Sequence, residues 1–194
     1  MLRLGVTARN ALKDHFAALP AEDLRLRFGA SLTADATSAY VDRIDFNPDS
    51  VFGVYDDALA LVGVAHVAIL DSTAELGVSV LPAHRRRGIG SALFARAVEY
   101  ARNRSVPALW MHCMTENPAI MHMARRSGMR IAIAGGEADA HLALPSATLA
   151  SITGEILTDR LALYDYAGKQ QRAVWMRFAE SIMQIQEGSL RHAA

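Results

Sequence analysis

The feature that most constrains this chain is a basic, glycine-containing loop that joins a strand pattern directly to a helix pattern. Residues 75–80 alternate polar and apolar side chains, which is typical of a β-strand with one buried face. Residues 91–104 place apolar side chains at helical spacing, with arginines on the other side. Between them, residues 84–90 read His-Arg-Arg-Arg-Gly-Ile-Gly. Unpaired N–H groups of such a loop and of the first helical turn point at one spot, so the sequence predicts an anion site there.

The spacing inside this loop limits which phosphate ligand the site can bind. The loop has no lysine, which the nucleoside triphosphate-binding P-loop requires. The dinucleotide fingerprint G-x-G-x-x-[GA] also fails, because Leu93 stands at its third glycine position. The pattern that fits is [QR]-x-x-G-x-[GA], here Arg85-x-x-Gly88-x-Gly90. The alternative to an anion site is a solvated basic turn before a surface helix, in which the two glycines only allow the chain to turn.

Composition narrows the class of protein around this site. The 194 residues are 52% hydrophobic and carry 20 basic and 20 acidic side chains, which indicates a soluble globular protein and disfavours nucleic acid as a partner. The positive charge concentrates in residues 84–104, which hold six bases and one acid. The single cysteine, Cys113, forms no internal disulfide and favours a reducing, cytoplasmic location. The apolar run at residues 58–70 is shorter than the roughly 20 residues that span a bilayer, so no membrane partner is expected.

The patterns divide the chain into two parts. Helical spacing covers residues 7–40, strand patterns begin at residue 51, and a strand at 108–113 precedes a helix that ends at Gly128. Two closing strands then lead to Pro145-Ser146, beyond which the pattern is helical. We therefore expect a domain of residues 1–145 and a C-terminal helical extension of residues 146–194.

The extension carries an apolar stripe that needs a partner surface. Val174, Phe178, Ile182 and Ile185 recur at helical spacing. Such a stripe packs either on its own domain or on another subunit. A homodimer through the C-terminal helices is the favoured hypothesis.

Around the basic loop, the chain resembles the GNAT superfamily of acyl-coenzyme A-dependent N-acetyltransferases. The resemblance rests on the loop pattern, on its flanking strand and helix, and on a following helix that begins at Asn117 and ends at Gly128. It covers residues 51–144 and, more loosely, the helical N-terminus. It implies a mixed α/β fold, with a mostly antiparallel central sheet splayed between its fourth and fifth strands and helices on both faces. It also implies acetyl-coenzyme A as co-substrate and no metal.

The resemblance also assigns the residues that bind the coenzyme. Main-chain N–H groups of the loop bind the pyrophosphate, and the exposed edge of the fourth strand pairs with the pantetheine arm. Asn117 is either a further pantetheine contact or a helix cap ahead of Pro118, and the two roles are compatible. The complete predicted coenzyme set is Val78, Val80, Arg85, Arg86, Arg87, Gly88, Ile89, Gly90, Ser91 and Asn117.

Acetylation of an amine requires that an ammonium group first lose a proton. By resemblance, Glu75 at the start of the fourth strand is the general base, and the alternative is a solvated acid at the strand edge. Many relatives carry a tyrosine four residues before the helix-ending glycine, where it protonates the leaving thiolate. Ala124 occupies that position here, so no acid is assigned there. Water or a tyrosine of the extension, Tyr164 or Tyr166, remains as a candidate.

Two functions follow from this sequence. The first is acetyl transfer from acetyl-coenzyme A to a primary amine, on a small molecule or a protein lysine, by direct attack in a ternary complex. The second is a non-catalytic module that binds or senses coenzyme A, which the absent tyrosine keeps open. His112, Cys113 and His122 lack the spacing of a structural zinc site, so no metal is expected.

Overall fold

The computed structural model describes residues 1–70 and 72–192, with side chains for these residues except Arg177 and those from residue 180 onward. The described strands are β1 (Leu2–Leu4), β2 (Ser50–Tyr55), β3 (Leu61–Leu70), β4 (Thr73–Val80), β5 (Ala108–Met114), β6 (Arg130–Ala134) and β7 (Glu137–Ala143). The described helices are α1 (Arg9–Ala17), α2 (Ala21–Phe28), α3 (Ala34–Arg43), α4 (Ile89–Asn103), α5 (Pro118–Arg126) and α6 (Leu149–His192).

The strands form one sheet in the order β1-β2-β3-β4-β5-β7-β6. Every described neighbouring pair is antiparallel except β4 and β5, which run parallel. A parallel pair needs a crossover connection, and α4 supplies it. The predicted mixed α/β fold with a mostly antiparallel sheet is confirmed.

Strands β4 and β5 separate soon after they meet. Their described pairing is limited to Thr73 with Ala108, Ala74 with Leu109 and Glu75 with Trp110. On its other side, β4 pairs with β3 along its whole length. Within the described chain, residues 76–80 therefore face β5 without a strand partner, and the predicted splay between the fourth and fifth strands is confirmed.

The two faces of the sheet bury different clusters of side chains. On one side, called the back face, Leu76 and Val78 of β4 pack with Leu93 and Phe94 of α4. On the opposite side, the front face, helices α1 and α3 cover Val64 of β3. Strand side chains alternate between faces, so the sequence alternation along β4 decides which residues reach each cluster.

Helix α6 packs on α4 and β1. Glu155 is buried against Arg96 of α4 and against Arg104, the C-cap of α4. Lys169 donates to the Tyr55 carbonyl oxygen at 2.9 Å. The opposite side of α6 exposes large apolar residues, including Leu157, Leu161, Tyr164, Val174, Trp175 and Phe178.

Two predictions from the sequence fall partly on residues that the structure does not describe. Ile182 and Ile185 belong to the predicted stripe, but their side chains lie outside the described residues. A turn at residues 71–73, which the run Asp71-Ser72-Thr73 predicts, includes Asp71, and Asp71 also lies outside the described residues. None of the helices described is long and apolar enough to cross a membrane.

Candidate active site

The basic loop has the backbone geometry of an anion site. Gly88 is the N-cap of α4 with φ +80°, and Arg86 also has a left-handed φ of +62°. The first intrahelical hydrogen bond runs from the Ala92 N–H to the Gly88 carbonyl, 3.0 Å. The N–H groups of Ile89, Gly90 and Ser91 precede it and have no acceptor in the helix. They are directed out of the helix N-terminus, where the helix dipole also favours negative charge.

The three loop arginines have different surroundings. Arg85 donates from Nε to the Val80 carbonyl at 3.0 Å and from Nη2 to Asp23 of α2 at 2.5 Å. Arg86 and Arg87 are exposed. Arg85 therefore fixes the loop against β4 and α2, whereas Arg86 and Arg87 supply a positive field in front of the helix N-terminus.

The predicted pantetheine residues lie along the open edge of β4 and at α5. Val78 is buried in the back-face core, and Val80 is half-buried beside Gly90. A Cβ on Gly90 would lie 3.4 Å from the Met123 methyl, which is an ordinary van der Waals distance, so Gly90 lies close to Met123 of α5. Asn117 caps α5, because its Oδ1 accepts from the Ile120 N–H at 3.2 Å. The cap role is confirmed, and the coenzyme contact stays a prediction.

Glu75 lies at the vertex of the splay. It is the last residue of β4 that pairs with β5, opposite Trp110. Its neighbours Ala74 and Leu76 are buried in the back-face core, so the Glu75 side chain faces the front. There it lies in the electrostatic range of Tyr40 and His66. The carboxylate is half-buried, which differs from the alternative of a fully solvated edge acid.

A hydrogen-bonded network lies on the front face beside Glu75. We call Asp49, His66, Tyr40 and Arg27 the front network. His66 Nε2 lies 3.0 Å from Asp49 Oδ2, and Nδ1 lies 2.7 Å from the Tyr40 hydroxyl. Because a carboxylate only accepts, Nε2 carries the proton and the tyrosine donates to Nδ1. Arg27 Nη2 donates in turn to the Tyr40 oxygen at 3.5 Å.

Burial sets the protonation of this network. It lowers the pKa of His66, against the opposing effect of Asp49, so the ring is neutral near pH 7. Burial also raises the pKa of Tyr40, which keeps its hydroxyl protonated. A second front-face histidine, His15, has its pKa lowered by burial to about 4. Its Nδ1 donates to the Leu61 carbonyl, and the Ser79 hydroxyl donates to Nε2, both at 2.8 Å.

Helix α2 lies across the opening between β4 and β5. Near its start, Asp23 pairs with Arg85 of the basic loop. In its middle, Arg25 pairs with Glu116, which follows β5, at 2.6 Å. The helix thus contacts both sides of the splay. Its last turn carries Arg27, which reaches back over β4 to the front network.

The β5 side of the front face is more open. Trp110 stacks on His141 with ring centroids 6.3 Å apart, and His112 Nδ1 lies 2.9 Å from Asp139 Oδ1. Both histidines and the aspartate are exposed. Among the residues described, no group of three His, Cys, Asp or Glu side chains is arranged to hold a metal. Cys113 is buried, and burial raises the pKa of its thiol, which keeps it a poor nucleophile.

The structure narrows the search for a general acid. Ala124 is fully buried and has no donor, and His122 faces solvent. Tyr166 packs on Tyr55 of β2, two strands from β4, and Tyr164 is exposed. Neither tyrosine of the extension lies at the splay. Tyr40 is the described tyrosine that lies beside Glu75.

Sequence reasoning assigned no role to Arg27, Tyr40 or His66. The sequence groups Asp49 with Asp42 and Asp45, and three acids at this spacing either attract a cationic amine or lie in a solvated loop. The others are engaged separately, Asp42 with Lys13 and Asp45 with the Asn47 N–H. One signal was available, since His66 interrupts an apolar strand, and a polar side chain at such a position is buried with partners.

Comparison with known proteins adds the family. The sequence profile of the Acetyltransferase (GNAT) family matches residues 18–129. A streptothricin acetyltransferase from Streptomyces lavendulae is 37% identical over 51 residues, which are 26% of this chain and 27% of that protein. The similarity therefore spans about a quarter of that relative's length.

Solved structures share the fold at low sequence identity. The GNAT domain of S. lividans PAT has a TM-score of 0.63 and 18% identity, over 73% of this chain and 88% of that one. The spermidine N-acetyltransferase from Vibrio cholerae, solved with CoA and spermine, has a TM-score of 0.58 and 17% identity, over 73% and 92%. At these identities the likeness concerns the fold alone.

Proposed function

This chain belongs to the Acetyltransferase (GNAT) family, and from that premise we propose that it moves the acetyl group of acetyl-coenzyme A to a primary amine in a ternary complex. The observation that carries the proposal is the meeting of three features at one strand. The basic loop follows β4, the edge of β4 is open, and Glu75 lies where the opening begins. The spermidine N-acetyltransferase from Vibrio cholerae, which has a similar fold, was solved with CoA and spermine, and this supports a site that takes a coenzyme and an amine.

The coenzyme fits the residues present. The N–H groups of Ile89, Gly90 and Ser91 would bind the pyrophosphate, and no atom lies within 4 Å of where a Gly88 side chain would be. Arg86 and Arg87 would attract the phosphates. The open main chain at Val78 and Val80 would pair with the pantetheine arm as an added strand does. Acetyl-coenzyme A supplies a thioester that an amine can attack.

Glu75 would activate the acceptor. Its carboxylate takes the proton of the incoming ammonium, and the amine nitrogen then forms a bond to the thioester carbonyl carbon. The carbon–sulfur bond would break, the nitrogen would release its second proton, and the thiolate would take up that proton through water or the Tyr40 hydroxyl. The first proton remains on Glu75 and then passes to solvent. The half-buried position of Glu75 beside the opening supports this role.

The assignment of the loop to coenzyme binding can be tested by comparing alanine substitutions at two glycines with left-handed backbone conformations. Gly88 and Gly128 have φ of +80° and +71°, and a Cβ on either would meet no atom within 4 Å. Alanine at each position should therefore cost a similar backbone strain of about 1–2 kcal/mol. Only Gly88→Ala should weaken coenzyme A binding, by about tenfold, as measured by calorimetry. Equal affinities in both variants would contradict the assignment of the loop.

Catalysis is tested by thiol release from acetyl-coenzyme A with amines, amino acids, polyamines and lysine peptides as acceptors. Glu75→Gln should lower kcat by about 10²–10⁴ through loss of the base. Glu137→Gln, at an exposed glutamate at the start of β7, is the control and should keep its kcat. Tight coenzyme binding without release from any acceptor would favour the non-catalytic alternative.

The quaternary state and location extend the proposal. The exposed apolar side of α6, with Leu157, Leu161 and Trp175, supports a homodimer through the C-terminal helices. Sedimentation of the wild type and of Leu161→Glu tests it, and a monomer in both would contradict it. A cytoplasmic location stays a prediction from the single, buried cysteine.

A further inference from the structure

We propose that Arg27 binds a carboxylate of the acceptor, so that the acceptor is an amine bearing a nearby carboxylate, as in a free amino acid. The inference rests on the proposed function, because it assigns the acceptor class of the same site. It comes from the position of one guanidinium group and from the partners that this group lacks.

The guanidinium of Arg27 lies where Gly77 has no side chain. A Cβ built on Gly77 would fall 1.5 Å from Arg27 Nη2 and 1.9 Å from Cζ. Gly77 pairs with His66 of β3, but on its other side it belongs to the part of β4 that has no pairing with β5. The absence of a side chain at this position thus creates the space that holds the positive charge at the splay.

Among the described residues, Arg27 lacks an anionic partner of the kind that its neighbours have. Arg25 pairs with Glu22 and Glu116, and Arg85 pairs with Asp23. In the described part of the chain, no carboxylate oxygen lies within 4.0 Å of the Arg27 guanidinium. Besides Gly77, the guanidinium contacts the Tyr40 oxygen at 3.5 Å and the Phe28 ring at 4.9 Å.

The front network explains why its own acid, Asp49, does not pair with Arg27. Asp49 is engaged by His66 at 3.0 Å, and Tyr40 stands between that pair and Arg27. The network therefore orients the guanidinium while leaving most of its five N–H donors available. A guanidinium binds a carboxylate through two parallel hydrogen bonds, which suits a small anionic group.

The two charges beside β4, the Glu75 carboxylate and the Arg27 guanidinium, match an amino acid better than a polyamine. Glu75 and Gly77 are two residues apart on one strand face, so their Cα atoms are about 7 Å apart. An ammonium group can approach Glu75 while a carboxylate on the same molecule reaches Arg27. A polyamine would bring further positive charge against the guanidinium, and like charges in a half-buried site repel.

The test compares substrates that differ only in this carboxylate. Initial rates of thiol release are measured for free amino acids and for the corresponding amides, with wild type, Arg27→Met and Gly77→Ala. Alanine at position 77 displaces the guanidinium but keeps the arginine in the sequence. Arg43→Met, at an exposed arginine of α3, is the control. Circular dichroism and melting temperature establish that each variant is folded.

Wild type and Arg43→Met should prefer the acid to the amide by about 10- to 100-fold in kcat/KM, as expected for a charge-assisted pair. In Arg27→Met and Gly77→Ala this ratio should fall close to one. Thiol release that is equally fast with acids and amides, or an acid preference that survives in both variants, would overturn the inference alone. No thiol release with any acceptor would overturn the proposed function and the inference with it.

Discussion

Two arginines on opposite faces of the sheet have opposite surroundings. Arg96 of α4, on the back face, is only 4% exposed and contacts three carboxylates. Its Nη2 lies 2.5 Å from Asp159 and 3.5 Å from Glu155, and its Nη1 lies 3.2 Å from Glu99. Arg27 of α2, on the front face, is half-buried and has no such partner in the described chain.

The difference separates a structural charge from one that is available to a ligand. Both guanidinium groups lie over an aromatic ring, Arg96 over Phe52 at 4.8 Å and Arg27 over Phe28 at 4.9 Å. Ring contact therefore does not distinguish them. A deeply buried charge must be paired, because its desolvation is otherwise too costly. A charge at an opening keeps its hydration until a ligand of opposite sign replaces it.

The largest expected effect is a difference in folding stability between Arg96→Met and Arg27→Met. The first change removes the cation paired with Asp159 and one of the cations that contact the buried Glu155, which keeps Arg104 at 2.7 Å. It should therefore lower the free energy of unfolding by about 2–3 kcal/mol. The second breaks no ion pair and should stay within about 1 kcal/mol of wild type. Urea unfolding measures both. Equal losses in the two variants would break the comparison.

A medium effect is expected from pH, because the front face holds buried histidines and the Arg96 cluster holds none. The pKa of His15 is about 4 in the folded state, below its ordinary value of 6.5. The unfolded chain therefore binds the extra proton first as the pH falls. The stability that neutral His15 contributes is complete above pH 6.5 and is lost as the pH approaches 4.

Between pH 7 and pH 5 this linkage should remove about 2 kcal/mol of the unfolding free energy. The lowered pKa of His66 adds an effect of the same sign. His15→Gln should flatten the pH dependence, whereas His122→Gln, at an exposed position, should not. An unchanged slope in His15→Gln would show that the front face is not the pH-sensitive region.

The smallest effect is expected for an exposed ion pair on the same helix that holds Glu155. Asp165 of α6 lies 3.5 Å from Lys169, and its side chain is 62% exposed. Asp165→Ala should therefore change the unfolding free energy by no more than about 0.5 kcal/mol. Thermal unfolding measures this change, and the loss in Arg96→Met, measured in the same way, serves as the reference for a large effect. A larger loss would mean that exposed pairs, and not burial, fasten α6.

The parts of the site that depend on local sequence were predictable. The basic loop, the splay, the cap at Asn117 and the absence of a donor at Ala124 follow from short patterns or from a family resemblance. Boundaries were less accurate: α4 begins at Ile89, two residues before the predicted start at Ser91. The left-handed Gly88 places the helix start earlier, because it is itself the N-cap.

The front network could not be read from the sequence. Its members come from α2, α3, the segment before β2, and β3, and they meet only because three helices cover one face of the sheet. No local periodicity encodes the contact between Arg27 and Gly77. A glycine in a strand signals a close approach without naming what approaches.

The contact between Arg27 and Gly77 makes positions 27 and 77 dependent on each other in evolution, although they lie fifty residues apart in the chain. The order of mutations matters. If Arg27 mutates first, the space above Gly77 is left empty, and a side chain at position 77 can then occupy it. If position 77 mutates first, its new side chain displaces the guanidinium of an Arg27 that is still present. We therefore expect position 77 to vary only in related proteins that have already lost the arginine at position 27.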